Sequence, residues 1–219
     1  MKNRDFIITS LQPWDIEIGS TIKNTALEIS KNNRVLYINT PMDYSTRLRG
    51  NKNKAWTRRM DVIKKQASPI RQINEHMWIA DCPFCVLPVG GLPTTCLFDW
   101  INRINNRKIA DYIRQITTQL NFNNYIHLID TDIYRSQYLK EYLTPSLSIY
   151  YCRDFVIGES YWKKNGVRLE PLLAAKSDIV LANSTHFAER FRQYNRHTFS
   201  IETGVNLALY DGRKKWLIP

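Results

Sequence analysis

No stretch of this 219-residue sequence approaches the roughly 18 consecutive apolar residues that a membrane-spanning helix needs. The apolar run that begins at Phe6 is too short for the core and cleavage site of a secretory signal. A cytoplasmic location is therefore expected. No GxGxxG opens a helix, which argues against an ordinary dinucleotide site. No GxSxG stands at a strand-to-helix turn, which argues against a Ser-His-Asp hydrolase. Cysteine is scarce: Cys82, Cys85, Cys96 and Cys152 are the full set. Cys82 and Cys85 form a CxxC, but no second CxxC or HxxxH follows at ligand spacing. Pro83 and Pro88 suggest an extended loop there. The pair reads as plain thiols, and neither a metal nor a cofactor is expected in this chain. Internal repeats, low-complexity tracts and nucleic-acid-binding motifs are also missing.

Acidic residues are in deficit. Against 31 Lys and Arg stand 20 Asp and Glu, a net charge of +11. Such an excess implies an anionic partner: nucleic acid, an anionic membrane or a phosphorylated substrate. Much of it lies between residues 42 and 75, where Arg47, Arg49, Lys52, Lys54, Arg58, Arg59, Lys64, Lys65 and Arg71 meet few acids. Only Tyr44 and Trp56 interleave, so nucleic acid is the least favoured partner. Arg47, Arg49, Arg58 and Arg59 are candidates for docking to an anionic membrane surface, with a solvated face as the plain alternative.

The apolar fraction of 43% supports a sizeable core, and the length suits one large domain. Asp5 to Leu11 reads as a strand, and a loop from Trp14 to Ser20 follows. A helix carrying Ile22, Ala26, Leu27 and Ile29 comes next, then a strand over Arg34 to Asn39. This is a βαβ unit. Further strands are expected at 76–80, 125–129, 146–151, 178–182 and 198–201. Helices are expected at 97–120, 133–143, 169–176 and 185–193. Ile101, Ile104, Ile109, Tyr112, Ile113, Ile116 and Leu120 form the apolar side of the first of these. The alternation predicts an α/β fold: a Rossmann-like parallel sheet of about seven strands with helices on both faces.

The second half is more specific. The strand end Ser148-Ile149-Tyr150-Tyr151-Cys152-Arg153-Asp154 is followed by Glu170-Pro171-Leu172-Leu173, then Ser177-Asp178-Ile179-Val180, Ser184 and Thr203-Gly204-Val205-Asn206. This order resembles the closing half of the N-terminal domain of GT-B glycosyltransferases, in which a YDCxD strand end, an E…LL helix and an NGVD turn succeed one another. Tyr151, Thr203 and Asn206 depart from that pattern, while Gly204-Val205 keeps it. The resemblance implies one half of a GT-B architecture of the bacterial polysaccharide-biosynthesis type. Residues 1–205 would be the acceptor-side domain and 206–219 the start of a linker, with a C-terminal donor domain missing. It implies transfer of a sugar from a nucleotide-sugar donor to a glycan or lipid-linked acceptor, and contact with the inner membrane face. The chain alone would then be inactive. A non-catalytic basic binding module and half of a sugar-nucleotide epimerase are the competing readings.

Ligands of open α/β sheets bind at the carboxyl ends of the strands. Asp130 and Asp132 are the catalytic candidates, since paired carboxylates at a strand end can act as base or orient a hydroxyl. Asp132 can equally cap the next helix. Trp14, Asp15, Gly19, Arg153, Asp154 and Ser184 are the substrate-binding candidates; Gly19 opens a helix whose bare N–H groups favour an anion. Of the histidines, His127 lies inside an apolar strand and reads as packed.

Overall fold

The computed structural model describes residues 1–16, 19–51 and 53–201. The expected turn at Gly204 to Asn206, the domain end at 205 and the linker 206–219 lie outside the described residues. The strands are β1 (Asp5–Ser10), β2 (Arg34–Ile38), β3 (Ile70–Asn74), β4 (Met77–Ala80), β5 (Ile126–Asp130), β6 (Leu147–Cys152), β7 (Ile179–Ala182) and β8 (Thr198–Ser200). The helices are α1 (Thr21–Ser30), α2 (Tyr44–Arg49), α3 (Lys54–Ile63), α4 (Thr95–Gln119), α5 (Leu139–Leu143), α6 (Ser160–Lys176) and α7 (Thr185–Arg192).

Among the described residues the strands form one sheet in the order β3-β4-β2-β1-β5-β6-β7-β8. All neighbours are parallel except β3, which pairs antiparallel with β4. The α/β, Rossmann-like class is thus confirmed, with eight strands. Successive side chains of a strand face opposite ways. Accordingly Phe6, Ile8, Val35 and Tyr37 pack with Ile22 and Ala26 of α1. Ile7, Leu36 and Ile38 pack instead with Ile109, Ile113 and Ile116 of α4. Tyr150, Cys152 and Val180 continue under α6 and α7 through Leu173, Ala174 and Phe191. Parallel crossovers are right-handed, so the leftward step from β1 to β2 and the rightward steps from β4 onward put their helices on opposite faces.

The expectations differ in three places. Two helices, α2 and α3, and a strand at 70–74 appear inside the basic segment, where no element was expected. The helix expected over 133–143 forms only from Leu139. The side chains of Asn102 and Asn106 both donate to the Tyr134 carbonyl at 2.9 Å, and Asn106 accepts from the Tyr138 amide at 2.9 Å. These bonds satisfy backbone that a helix would otherwise pair. Asn102, Asn105 and Asn106 are accordingly buried on α4, while Ile104 is 41% exposed. Finally, α6 begins nine residues before Leu169, at Ser160, and runs through Pro171.

Candidate functional site

The strand order reverses direction between β1 and β5, and that switch point is where open α/β sheets hold ligands. Parallel register puts Ser10 opposite Asp130 and Asp130 opposite Tyr151. Asp130, fully buried, accepts from the Ser10 hydroxyl at 2.7 Å and from Arg153 Nε at 3.1 Å. Arg153 also reaches the Asp154 carboxylate at 3.1 Å. Burial pushes the Asp130 carboxyl up, and the Arg153 charge pulls it back toward the ionised form. Between the two catalytic candidates Thr131 has φ 58°. A β-branched residue there is strained, and such strain collects at functional sites. Thr131 is held by its amide on the Tyr151 carbonyl at 3.0 Å, and its hydroxyl accepts from the Arg153 amide at 3.2 Å.

The same logic operates on the other side of the seam. Ile38 lies opposite Ala80, so Asn39 and Asp81 leave the sheet together. The Asn39 amide group donates to Asp81 at 2.7 Å and to Asp15 at 3.0 Å, while its oxygen accepts from the Trp14 amide at 2.7 Å. Asp15 also takes Arg71 at 2.9 Å. Asp81, fully buried, takes Arg58 Nε at 3.0 Å and Arg71 at 3.5 Å. The Trp14 ring meets Tyr37 edge-on at 5.4 Å, and Lys23 lies over it at 5.4 Å. The loop bearing three of the predicted residues is therefore anchored at two of them, Trp14 and Asp15, through Asn39, to a strand end it does not adjoin in sequence.

Asp132 lines a narrow crevice with Asn39, Thr40, Arg135 and Ser136. Its carboxylate accepts from the Arg135 amide at 3.2 Å, a local turn of the capping kind, and faces Arg135 Nη1 at 3.7 Å. Burial pushes its pKa up, opposed first by Arg135. Ser184 caps α7, its hydroxyl accepting from the Phe187 amide at 3.3 Å. Gly19 precedes the first residue position of α1 and has no atom within 4 Å of a would-be Cβ.

The basic candidates divide. Arg47 and Arg49 stand in the last turn of α2. Arg58 turns inward to Asp81 and to the Ser68 carbonyl. Arg59 lines a cleft of about 650 Å³ with Asp15, Trp56 and others. The four thus do not share one outward face. Asn39, Thr131, Asp81 and Arg135 escaped sequence reading. Asp81 carried a usable signal, an acid one residue past a strand, as Asp130 does at a strand's last position. Cys82 is buried, which pushes its thiol up to about 12.

No family model matches the chain, and no curated protein matches it in sequence. Among solved structures it is similar to a sucrose-phosphate synthase chain from Thermosynechococcus elongatus, with a TM-score of 0.53 and 11% identity, over 96% of each chain. At that identity the likeness is one of fold: the chain has a glycosyltransferase-like α/β fold. No helix among the described residues is long and apolar enough to cross a membrane.

Proposed function

We propose that this chain is the acceptor-side half of a GT-B glycosyltransferase, which moves a sugar from a nucleotide-sugar donor to a glycan or lipid-linked acceptor. The supporting observation is the fold shared with a sucrose-phosphate synthase chain over 96% of each, together with a polar cluster gathered at the switch point. In this reading Asp132 is the less engaged of the two carboxylates. Asp130 spends its oxygens on Ser10 and Arg153, whereas Asp132 borders a crevice of about 10 Å³, room for a single water, which would have to widen to admit a substrate group. Asp130, Arg153 and Thr131 then hold the floor that presents Asp132. Burial raises the Asp132 carboxyl, the direction that suits a proton acceptor. Trp14 and Asp15 would form the wall nearest the acceptor. Arg47 and Arg49 are the members of the basic set that remain candidates for an anionic membrane surface. In this reading the nucleotide-sugar donor would be held by a partner domain.

The test is ligand-observed NMR on the purified 219-residue chain with a panel of glycans, sugar phosphates and nucleotide sugars. Binding of an acceptor, lost on Asp132→Ala, with no sugar transfer by the chain alone, is the expected outcome. Turnover of a nucleotide sugar by the chain alone, or no response to any sugar, would overturn the proposal.

A further inference from the structure

Buried hydrogen-bond donors almost always find an acceptor. Near the switch point several donors find none among the described residues. Nε and Nη2 of Arg59 are shielded from solvent and have no described partner, and the same holds for Nη1 of Arg135, Nε1 of Trp56 and Nε of Arg71, whose Nη2 reaches Asp15 and Asp81. Trp56 and Arg59 lie three positions apart on α3, so they share a face, and both line the cleft of about 650 Å³. Arg135 lines the crevice next to it. Asn39 of that crevice donates to Asp15 of the cleft at 3.0 Å, so the two spaces share a wall. Both guanidinium charges act on the buried Cys82 thiol that lies behind that wall.

Among the described residues no nearby carboxylate hydrogen-bonds these donors. Asp81 is taken by Arg58, Arg71 and Asn39. Asp15 is taken by Arg71 and Asn39. Asp43 is taken by the Thr46 amide and the Ser45 hydroxyl. Asp132 stands 3.7 Å from Arg135, outside hydrogen-bond reach. Burial, and after it the charge of Arg135, hold the Arg59 guanidinium below its ordinary value. Two guanidiniums thus influence one another across the shared wall, each partly buried and each with shielded donors that have no described hydrogen-bond partner.

We propose that Arg59 and Arg135, with Trp56, form the seat of a phosphate-type oxyanion at the mouth of the cleft. A phosphate monoester or pyrophosphate brings two or more negative charges to match two guanidiniums, and its oxygens suit their planar forks. The cleft has room for a sugar unit beside the phosphate. The seat stands whether or not the chain takes part in sugar transfer; that the phosphate belongs to an acceptor rests on the glycosyltransferase reading.

Thermal unfolding of the full chain in chloride and in inorganic phosphate at matched ionic strength tests the seat. At ten times Kd the melting temperature should rise by about 3–6 °C. Arg59→Gln should weaken phosphate at least tenfold without lowering the melting temperature in chloride, which a purely structural arginine would not allow; Arg135→Gln should weaken phosphate as much, with some loss in chloride because the buried Asp132 then faces no cation. If Arg59→Gln fails to fold, Arg135→Gln carries the test. A hexose phosphate should bind more tightly than inorganic phosphate if the source is a soluble ester. Vesicles containing phosphatidylglycerol, bound by the wild type and not by Arg135→Gln, would assign it to a lipid headgroup. No phosphate shift in the wild type, or a shift retained in both variants, overturns the seat. Phosphate binding without any response to glycans would leave the seat in place and count against the glycosyltransferase reading.

Discussion

The carboxyl edge of the sheet has two sides, and they handle charge differently. Around β6 and β7, Arg153 meets Asp130 and Asp154, and Arg190 meets the buried Glu170, which also accepts from Tyr150 at 2.8 Å, although Nη1 of Arg190 has no hydrogen-bond partner among the described residues. From β1 to β4, Arg58 and Arg71 meet Asp81 and Asp15, but Arg59 pairs with no acid among the described residues and stands beside an open cleft, with Arg135 from the connection after β5 across the seam. Paired charges rigidify a wall, whereas surplus donors beside a cavity can take a ligand. The first side reads as scaffold and the second as binding wall.

The sharpest way to break that contrast is to remove one arginine from each side. Arg153→Met leaves Asp130 buried with only the Ser10 hydroxyl as donor. Losing one partner of a buried pair costs about 3–5 kcal/mol, and the partial exposure of Arg153 favours the lower end. The expected loss is about 3 kcal/mol, or roughly 6–12 °C in melting temperature. Arg59→Met keeps an apolar stem and removes a repelled charge, so it should stay within about 1 kcal/mol of wild type. Equal losses in the two variants would show that Arg59 is scaffold as well.

The seam between the sides carries a pH signature. His127 is fully buried in β5, its Nε2 2.9 Å from the Thr9 hydroxyl of β1, and burial depresses its pKa to about 3. The folded pKa lies below the ordinary value of about 6.5, so the native state binds fewer protons between those limits. Stability present above about pH 6.5 is therefore lost as pH falls toward 3. At 1.36 kcal/mol per unit the loss reaches about 3 kcal/mol by pH 4. His127→Gln lacks the titrating group. Denaturant midpoints of both proteins from pH 7 to pH 4 should converge or cross as pH falls. Parallel curves would place His127 in a wetter site.

Much of the fold was legible because β1, β2, β5 and β7 are short apolar runs whose two faces are both covered. The strand β3 was not: Ile70-Arg71-Gln72-Ile73-Asn74 has no alternation, since it is an edge pairing on one side only. Helix α5 was overdrawn because the competitors for its backbone are asparagines some 30 positions earlier in sequence. At the site, Asp130, Asp132 and Arg153 were legible as charges just past apolar strands. Asn39 and Asp81 were not, because their partners depend on the lateral strand order, which no local pattern states; nor was Arg135, because the crevice it lines is built from the ends of β1 and β2.

The finest test compares two glycines, one on each side. Gly166 lies in α6, and an added Cβ would stand 3.0 Å from Ile157 Cγ2 and 3.6 Å from Ile133 Cδ1. Alanine gains about 1 kcal/mol of helix propensity, but overpacking costs about 1–3 kcal/mol. Ile157 is half-buried and can give, so Gly166→Ala should lose about 1 kcal/mol or less, roughly 2–4 °C. Gly19 stands on the open side with no atom within 4 Å of a would-be Cβ and no positive φ. Gly19→Ala should therefore gain about 0.4–1 kcal/mol by restricting the unfolded chain. Opposite signs in a single melting experiment would match a tight scaffold on one side and free space on the other. A gain at Gly166 would mean that α6 is not pressed against the β5–β6 connections, and the scaffold side would lose its packing argument.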